Sequence, residues 1–236
     1  MSERNDWIMA DMIEARAERM PDFDVLTFEH LSLDGGATPD EVRSYADLHQ
    51  NANRIAAALI GHGMEPGERF GLMMRNHPEY VETMIAASIT GCVFVPIDPR
   101  TRGEKLAYMM QNAGCRGVIC SDYCLTEVAR ARKTVPDIGW ILALETGEGP
   151  GAVPLESEDA IDSMREALSN RTDTVDRRVE DGNDPLQIIY TSGTTGDPKG
   201  VVFQNVRFGG SAMLGVIFGY QPEDRPYTGL SLTHGN

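Results

Sequence analysis

Short apolar runs alternate with longer periodic segments between residues 69 and 144, and this alternation is the strongest constraint on the fold. The short runs are rich in branched side chains and predict buried strands. The longer segments repeat apolar residues every three or four positions and predict amphipathic helices. Such alternation is typical of parallel βαβ units, so the sequence predicts an α/β fold.

The predicted elements can be placed on the chain from periodicity and from capping residues. Ser44 is expected to cap the clearest helix, Gly63 to end it, and Asn76 to open the next. Thr101 and Glu104 have the spacing of a capping box. Helices are predicted at 7–20, 44–62, 78–90, 101–113, 123–134, within 158–169 at the surface, and at 205–219 in a buried position. Strands are predicted at 25–30, 69–74, 92–97, 117–120, 140–144, 186–189, 201–203 and from 229 onward, and those at 186–189 and 201–203 are expected to be buried.

Charge divides the second half of the chain. Residues 145–184 hold 12 Asp or Glu against 4 Arg, a net charge of −8, whereas residues 185–236 hold three charges of each sign. The acidic stretch is either a docking patch for a basic partner or a solvated surface excursion. We expect residues 1–170 to form a first α/β subdomain and residues 171–184 an acidic linker. Residues 185–236 would then begin an incomplete second α/β subdomain.

Composition limits the classes of partner. The net charge of −15 over 236 residues argues against nucleic acid and anionic membrane surfaces, which attract basic proteins. Acidic residues interrupt the N-terminal segment, so no signal peptide is predicted, and no apolar run is long enough to cross a bilayer. The four cysteines lack metal-binding spacing and are expected to be reduced. We therefore expect a soluble cytoplasmic protein without membrane insertion.

The segment Tyr190 to Gly200, YTSGTTGDPKG, has the composition of a phosphate-binding loop. Its glycines let backbone amides approach a ligand, its hydroxyls are short donors, and Lys199 adds a positive charge. Pro198 restricts the backbone just before that lysine. The loop is not a Walker A motif, because Gly200 follows the lysine. The alternative is a flexible glycine turn without a ligand.

This loop resembles the signature loop of the adenylate-forming superfamily, which includes acyl-CoA synthetases and the adenylation domains of peptide synthetases. The likeness extends to three other segments, over most of residues 7–120 and 185–236. Asn53 to Glu68 resembles the family's NRLAxxLxxxGvxpGDrV segment, Asn76 to Glu79 its Asn-x-Pro-Glu helix start, and Gly91 to Arg100 (GCVFVPIDPR) its GavyvPlnPr strand and turn. The resemblance implies the N-terminal domain of an acyl-CoA synthetase, truncated.

The resemblance also implies a two-step reaction that uses ATP, Mg²⁺ and coenzyme A. A carboxylic acid is adenylated with release of pyrophosphate, and a thiol then displaces AMP. His234, in LSLTHGN, resembles a family histidine beside the adenylate, although it could be an ordinary histidine at a strand end. The residues to which the resemblance assigns phosphate binding are Thr191, Ser192, Gly193, Thr194, Thr195, Gly196 and Lys199.

Two departures from the family pattern limit this implication. Gln204 to Arg207 replaces the family's Thr-His-x-Asn, so a gating role for that histidine is lost. The family's Mg²⁺-binding glutamate would lie beyond Asn236, so no metal ligand is assigned here, and the 236 residues alone are predicted to be inactive. An adenylation domain that loads a carrier protein and a non-catalytic nucleotide- or protein-binding module stay open as alternatives, as does a homo-oligomer.

Overall fold

The fold is built on a seven-stranded sheet, seen in a computed structural model that describes residues 4–29, 39–149, 151–170, 174–191, 197–221 and 223–234, except the side chain of residue 212. The helices are α1 Met9–Arg19, α2 Tyr45–Gly61, α3 Pro78–Thr90, α4 Gly103–Ala113, α5 Asp122–Arg132, α6 Met164–Ser169 and α7 Asn205–Ile217. The strands are β1 Asp24–Phe28, β2 Glu41–Ser44, β3 Arg69–Met73, β4 Val93–Pro96, β5 Cys115–Ser121, β6 Trp140–Leu144, β7 Ile161–Ser163, β8 Pro185–Thr191 and β9 Lys199–Gln204.

The strand order in the large sheet is β7-β6-β5-β3-β4-β8-β9. Neighbouring strands from β7 to β8 are parallel, and only β9 runs antiparallel, as the second strand of a hairpin with β8. Strands β1 and β2 form a separate antiparallel pair. The α/β fold with a mainly parallel sheet is therefore confirmed.

Strands β3, β4, β5, β6 and β8 send side chains to two apolar clusters. Phe70 and Leu72 of β3 lie in one cluster, while Met73 lies in the other. Because successive side chains of a strand point to opposite faces, the two clusters cover the two faces of the sheet. The first cluster includes α2 and α3, and the second includes α4 and α5. This two-faced burial explains the continuous apolar runs of the central strands.

Helix ends agree with the sequence at some positions and differ at others. Ser44 caps α2 through a capping box with Asp47, and Gly63 follows with φ 76°, both as predicted. Helix α3 begins after His77, and the Asn76 side chain bonds elsewhere. Helix α4 begins after Arg102 without a side-chain cap, so the predicted capping box at residues 101 and 104 was wrong.

Four predicted elements need correction. The segment 158–169 contains strand β7 before the short helix α6, and it extends the sheet by one strand. Residues 229–234 form turns and no strand. Strand β9 is exposed because it is the sheet edge, and α7 exposes Val216 and Ile217 to 75% and 73% because no described element covers that face.

The acidic segment 174–184 packs closely on the first cluster. Arg177 makes an ion pair with the buried Asp11 at 2.8 Å, and the amide of Arg178 bonds the carbonyl of Ile89 at 2.7 Å. The amide of Val175 bonds the side-chain oxygen of Asn53 at 2.7 Å. These contacts attach the segment to α1, α2 and α3, while the predicted division into subdomains stays a prediction.

The four cysteines, Cys92, Cys115, Cys120 and Cys124, are buried and unpaired. Burial raises the pKa of Cys115 to about 12 and that of Cys92 and Cys124 to about 11. Within the described ranges, the helices are all too short or too polar to traverse a lipid bilayer.

Candidate functional site

The carboxyl ends of β3, β4 and β8 define the candidate site. The chain leaves β3 into α3 on one face of the sheet and leaves β4 into α4 on the other. A crevice therefore opens between these neighbouring strands, at the position where ligands bind in open α/β sheets. The loop that follows β8 lies at the same edge, since β8 is parallel to β4 and adjacent to it.

The predicted phosphate loop connects the two strands of the β8–β9 hairpin. Thr191 and Lys199 are paired in the last register position of that hairpin, and the Thr191 hydroxyl lies 3.5 Å from the Lys199 carbonyl oxygen. Both residues are exposed. The ends of the loop are thus held side by side. Five predicted phosphate-binding residues lie outside the described ranges, namely Ser192, Gly193, Thr194, Thr195 and Gly196.

Two tyrosines attach the base of this hairpin to α4. The Tyr190 hydroxyl donates to the side-chain oxygen of Asn112 at 2.6 Å, and the Tyr108 hydroxyl lies 3.5 Å from the carbonyl oxygen of Pro198. Burial raises the pKa of Tyr190 to about 12, so its hydroxyl stays a donor at neutral pH. The hairpin therefore has a fixed position against the helix that follows β4.

Asp98 and Arg100 follow β4 and face His234. The Arg100 guanidinium contacts both oxygens of Asp98, at 3.0 and 2.6 Å, in a bidentate ion pair. This hydrogen bonding is the main reason that the pKa of Asp98 is lowered to about 2. The His234 Nε2 atom lies 3.8 Å from Asp98 Oδ2, and the imidazole is 60% exposed. An ionised carboxylate thus stands beside the predicted catalytic histidine.

A cavity of about 650 Å³ lies between these groups. Arg100, Arg102 and Lys105 bring three positive charges to its wall, against one carboxylate from Asp98. A phosphate-bearing ligand suits this balance of charge. The other residues of the wall are Pro96, Thr101, Met109, Ile189, Tyr190, Thr191, Pro198, Thr233 and His234.

The segment before His234 is held by side chains of the β3–α3 corner. The Asn76 amide nitrogen donates to the carbonyl of Leu230 at 2.9 Å, and its oxygen accepts from the amide of Leu232 at 2.9 Å. The Tyr80 hydroxyl donates to the carbonyl of Leu232 at 3.0 Å. Asn76 was predicted to open a helix, and the structure assigns its side chain to this contact across the chain.

Thr191 and His234 line the same cavity, and Lys199 is paired with Thr191 in the hairpin, while the roles assigned to the three residues stay predictions. Sequence reasoning did not single out the cationic wall or Asp98, although the PIDPR sequence after a buried strand marks that corner. Among the residues that the structure describes, no group of three or more His, Cys, Asp or Glu side chains could hold a metal ion.

Comparison with known proteins agrees with this architecture. The sequence pattern of the family described as "AMP-binding enzyme" matches residues 13–235. The chain belongs to that family. Tyrocidine synthase 2 of Brevibacillus parabrevis is 27% identical over 94% of this chain. A medium/long-chain-fatty-acid–CoA/3-oxocholest-4-en-26-oate–CoA ligase of Mycobacterium marinum is 27% identical over 86% of it. The chain spans only 5% of that synthase and 36% of that ligase.

Solved structures of a CoA ligase and of a CoA synthetase share the fold. The acetoacetyl-CoA synthetase of Streptomyces lividans superimposes with a TM-score of 0.80 at 20% identity, over 96% of this chain and 35% of that one. The anthranilate CoA ligase AuaEII in complex with anthranoyl-AMP superimposes with a TM-score of 0.70 at 21% identity, over 87% of this chain and 36% of its own. The sequence match therefore shows the family, and the structural matches show the fold.

Proposed function

We propose that this chain is the N-terminal portion of an ATP-dependent acyl-CoA ligase. The observation that carries the proposal is the cationic cavity beside the Thr191–Lys199 loop base, in a chain of the AMP-binding enzyme family. The 236 residues would hold the phosphates, and the proposal assigns the rest of the site to other residues, since the chain spans 36% of the Mycobacterium marinum ligase. By themselves they are then inactive.

The proposed reaction has two steps. A carboxylate oxygen of the acid attacks the α-phosphorus of ATP, and pyrophosphate leaves with the bonding electron pair. The thiol of coenzyme A then attacks the acyl carbon, and AMP leaves. ATP supplies the activated phosphorus, and Mg²⁺ offsets phosphate charge when it is bound.

The residues of this chain act mainly by position and charge. Lys199 and the hydroxyl of Thr191, with the loop between them, would hold the β- and γ-phosphates where negative charge increases as pyrophosphate departs. Arg102 and Lys105 would attract the nucleotide to the cavity. His234 would contact the reacting carboxylate, with Asp98 behind it. The proposal assigns no Mg²⁺ ligand to this chain.

Two alternatives remain distinct from this proposal. An adenylation domain would use the same first step but transfer the acyl group to a carrier protein. A nonribosomal peptide synthetase, NPS2 of Ceriporiopsis subvermispora, is 28% identical over 71% of this chain. A non-catalytic module would bind a nucleotide or a protein without either step. The proposal places the enzyme in the cytoplasm with a small carboxylic acid as its substrate, and it is compatible with a homo-oligomer.

Phosphate binding can be tested with the 236-residue chain, by calorimetric titration with MgATP and with magnesium pyrophosphate. Lys199→Ala should weaken binding about 10- to 100-fold, because a hydrogen bond to a charged group is lost. Lys133→Ala is the charge-matched control, since Lys133 is exposed at the end of α5, away from the cavity. Equal affinities for both variants would remove Lys199 from the site.

Catalysis is tested in the protein as its native cell makes it, by release of pyrophosphate that depends on an added carboxylic acid. Addition of coenzyme A should yield the acyl thioester and AMP. Adenylation without transfer to coenzyme A would favour the carrier-protein alternative. Nucleotide binding with no pyrophosphate release from any acid would favour the non-catalytic module.

A further inference from the structure

Residues 230–232 lie beside the carboxyl end of β3 without being part of the sheet. The Asn76 side chain bonds the carbonyl of Leu230 and the amide of Leu232, both at 2.9 Å. A primary amide carries a donor and an acceptor on one carbon, as a peptide group does. The Asn76 side chain thus makes the pair of backbone hydrogen bonds that a residue of a neighbouring strand would make.

Tyr80 completes the contact from the first turn of α3. Its hydroxyl donates to the carbonyl of Leu232, so both backbone groups of Leu232 are bonded to the β3–α3 corner. Tyr80 is fully buried, and the Leu232 side chain packs against the same apolar cluster. The position of Leu232 is therefore fixed by the core of the first α/β unit.

A short turn carries this fixed position forward to His234. The amide of His234 bonds the carbonyl of Ser231 at 3.1 Å, and the hydroxyls of Ser231 and Thr233 lie 2.8 Å apart. Only Ser231 and Leu232 separate Leu230 from Thr233, and both Thr233 and His234 line the cavity. The start of the segment is thus anchored at Asn76, and its end lies at the cavity.

We propose that Asn76 and Tyr80 are positioning residues that set the location of His234 at the reaction centre. This inference rests on the proposed function for its catalytic consequence, and on geometry alone for the placement of His234. Neither residue would touch the substrate. Asn76 acts through the backbone of Leu230 and Leu232, and Tyr80 acts through the carbonyl of Leu232.

The placement is tested by amide hydrogen exchange and by the NMR signals of the His234 ring in the 236-residue chain. In Asn76→Ala the Leu232 amide should exchange about tenfold faster, and the His234 ring signals should shift. Asn76→Asp keeps an acceptor for the Leu232 amide and loses the donor for Leu230, so it should retain part of the protection. Asn170→Ala, at an exposed position after α6, is the matched control and should leave both readouts unchanged.

Tyr80→Phe distinguishes loss of the hydrogen bond to Leu232 from a general folding defect. It keeps the buried ring and removes only the hydroxyl, so the core stays filled while one bond to Leu232 is lost. We expect a smaller shift of the His234 signals than in Asn76→Ala, in the same direction. Unchanged Leu232 exchange and unchanged His234 signals in both variants would overturn the inference.

The catalytic consequence is tested by steady-state kinetics in the protein as its native cell makes it. Asn76→Ala should lower kcat for pyrophosphate release about 100-fold, because small displacements of reacting groups have effects of this size. The KM for ATP should change less than about threefold, since the Thr191–Lys199 loop is untouched. Equal losses in kcat and in ATP affinity would contradict a positioning role.

The two proposals fail in different ways. If the unaltered protein released no pyrophosphate with any acid, the proposed function would fail, and exchange and ring signals would still decide the placement of His234. If the unaltered protein were active and Asn76→Ala had normal kcat, the proposed function would stand and the positioning role would be wrong.

Discussion

The hydroxyl of Ser88 in α3 donates a 2.7 Å hydrogen bond to the side-chain oxygen of Asn205, the first residue of α7. The same hydroxyl accepts the amide of Ala10 in α1 at 3.1 Å. Ser88 and Asn205 are both fully buried. One small side chain therefore joins three helices, and it attaches the start of α7 to the first apolar cluster.

Ser88→Ala should lower the free energy of unfolding by about 1–3 kcal/mol, because the amide of Ala10 and the side chain of Asn205 would stay buried without this partner. Urea unfolding at pH 7.5 measures the change. Ser157→Ala removes an exposed hydroxyl and should alter stability by less than about 0.5 kcal/mol. A loss of similar size in both variants would show that the buried bridge contributes little.

Substitution of alanine for glycine should have opposite effects on stability at Gly117 and at Gly61. A Cβ on Gly117 would lie 2.0 Å from the ring of Trp140, which is itself stacked on His62 at 4.6 Å. Gly117→Ala should destabilise the fold by about 1–3 kcal/mol or more, since the ring has little room to move. Gly61 ends α2 with no atom within 4 Å of the added carbon, so Gly61→Ala should stabilise it by about 0.4–1 kcal/mol. Thermal unfolding of the two variants checks the sign, and a stable Gly117→Ala protein would contradict the packing.

His77 predicts a loss of stability in mild acid. The pKa of His77 is lowered, mainly because the imidazole is buried. The nearby carboxylates of Glu148, Glu79 and Glu41 act to raise this pKa, and the positive charge of Arg75 acts to lower it further. The folded chain then binds the proton at lower pH than the unfolded chain, in which histidine titrates near about pH 6.5. The free energy of unfolding is therefore unaffected by titration of His77 above about pH 6.5. It decreases as the pH falls below that value, by at most about 1.4 kcal/mol per pH unit.

The contribution of His77 can be isolated by comparing unfolding free energies at pH 7.5 and 5.5. His77→Gln keeps a polar partner for the Tyr123 hydroxyl, which lies 2.9 Å from His77 Nε2. This variant should lose less stability between the two pH values than the unaltered chain. An identical loss would assign the acid sensitivity to other groups, such as His49 and His62, whose pKa values burial also lowers.

The cysteines should be inert in the folded chain. All four are buried, and burial raises their pKa values, so little thiolate is present at pH 8. A colorimetric disulfide reagent should react with fewer than one thiol per native chain within minutes and with all four in denaturant. Rapid reaction of one native thiol would identify a local opening near that residue.

The sequence predicted the parts of the fold that depend on local pattern. The three- and four-residue spacing of apolar side chains located α2 and α3, and the Ser44 cap and the Gly63 stop followed from single residues. It missed β7, because a three-residue strand leaves almost no periodic signal. It also predicted burial for α7, since apolar composition indicates a buried face without showing whether another element covers it.

The candidate site was only partly accessible to sequence reasoning. Thr191 and Lys199 flank a loop whose composition identifies it locally, and the family resemblance pointed to His234. The contacts of Asn76 with Leu230 and Leu232 join residues more than 150 positions apart, and no local pattern encodes such a pair. The sequence suggested a helix cap for Asn76 because that is the usual local use of asparagine before a helix.

The exposed helix α7 and edge strand β9 place an apolar surface on a strongly charged chain. An apolar face, with Val202, Val216 and Phe218 exposed to 54%, 75% and 65%, belongs to a molecule whose net charge is −15. Copies of the chain repel one another through their charge and attract through this face. Added salt screens the repulsion beyond about 10 Å at 0.1 M. Added salt should therefore favour association of this chain through that face.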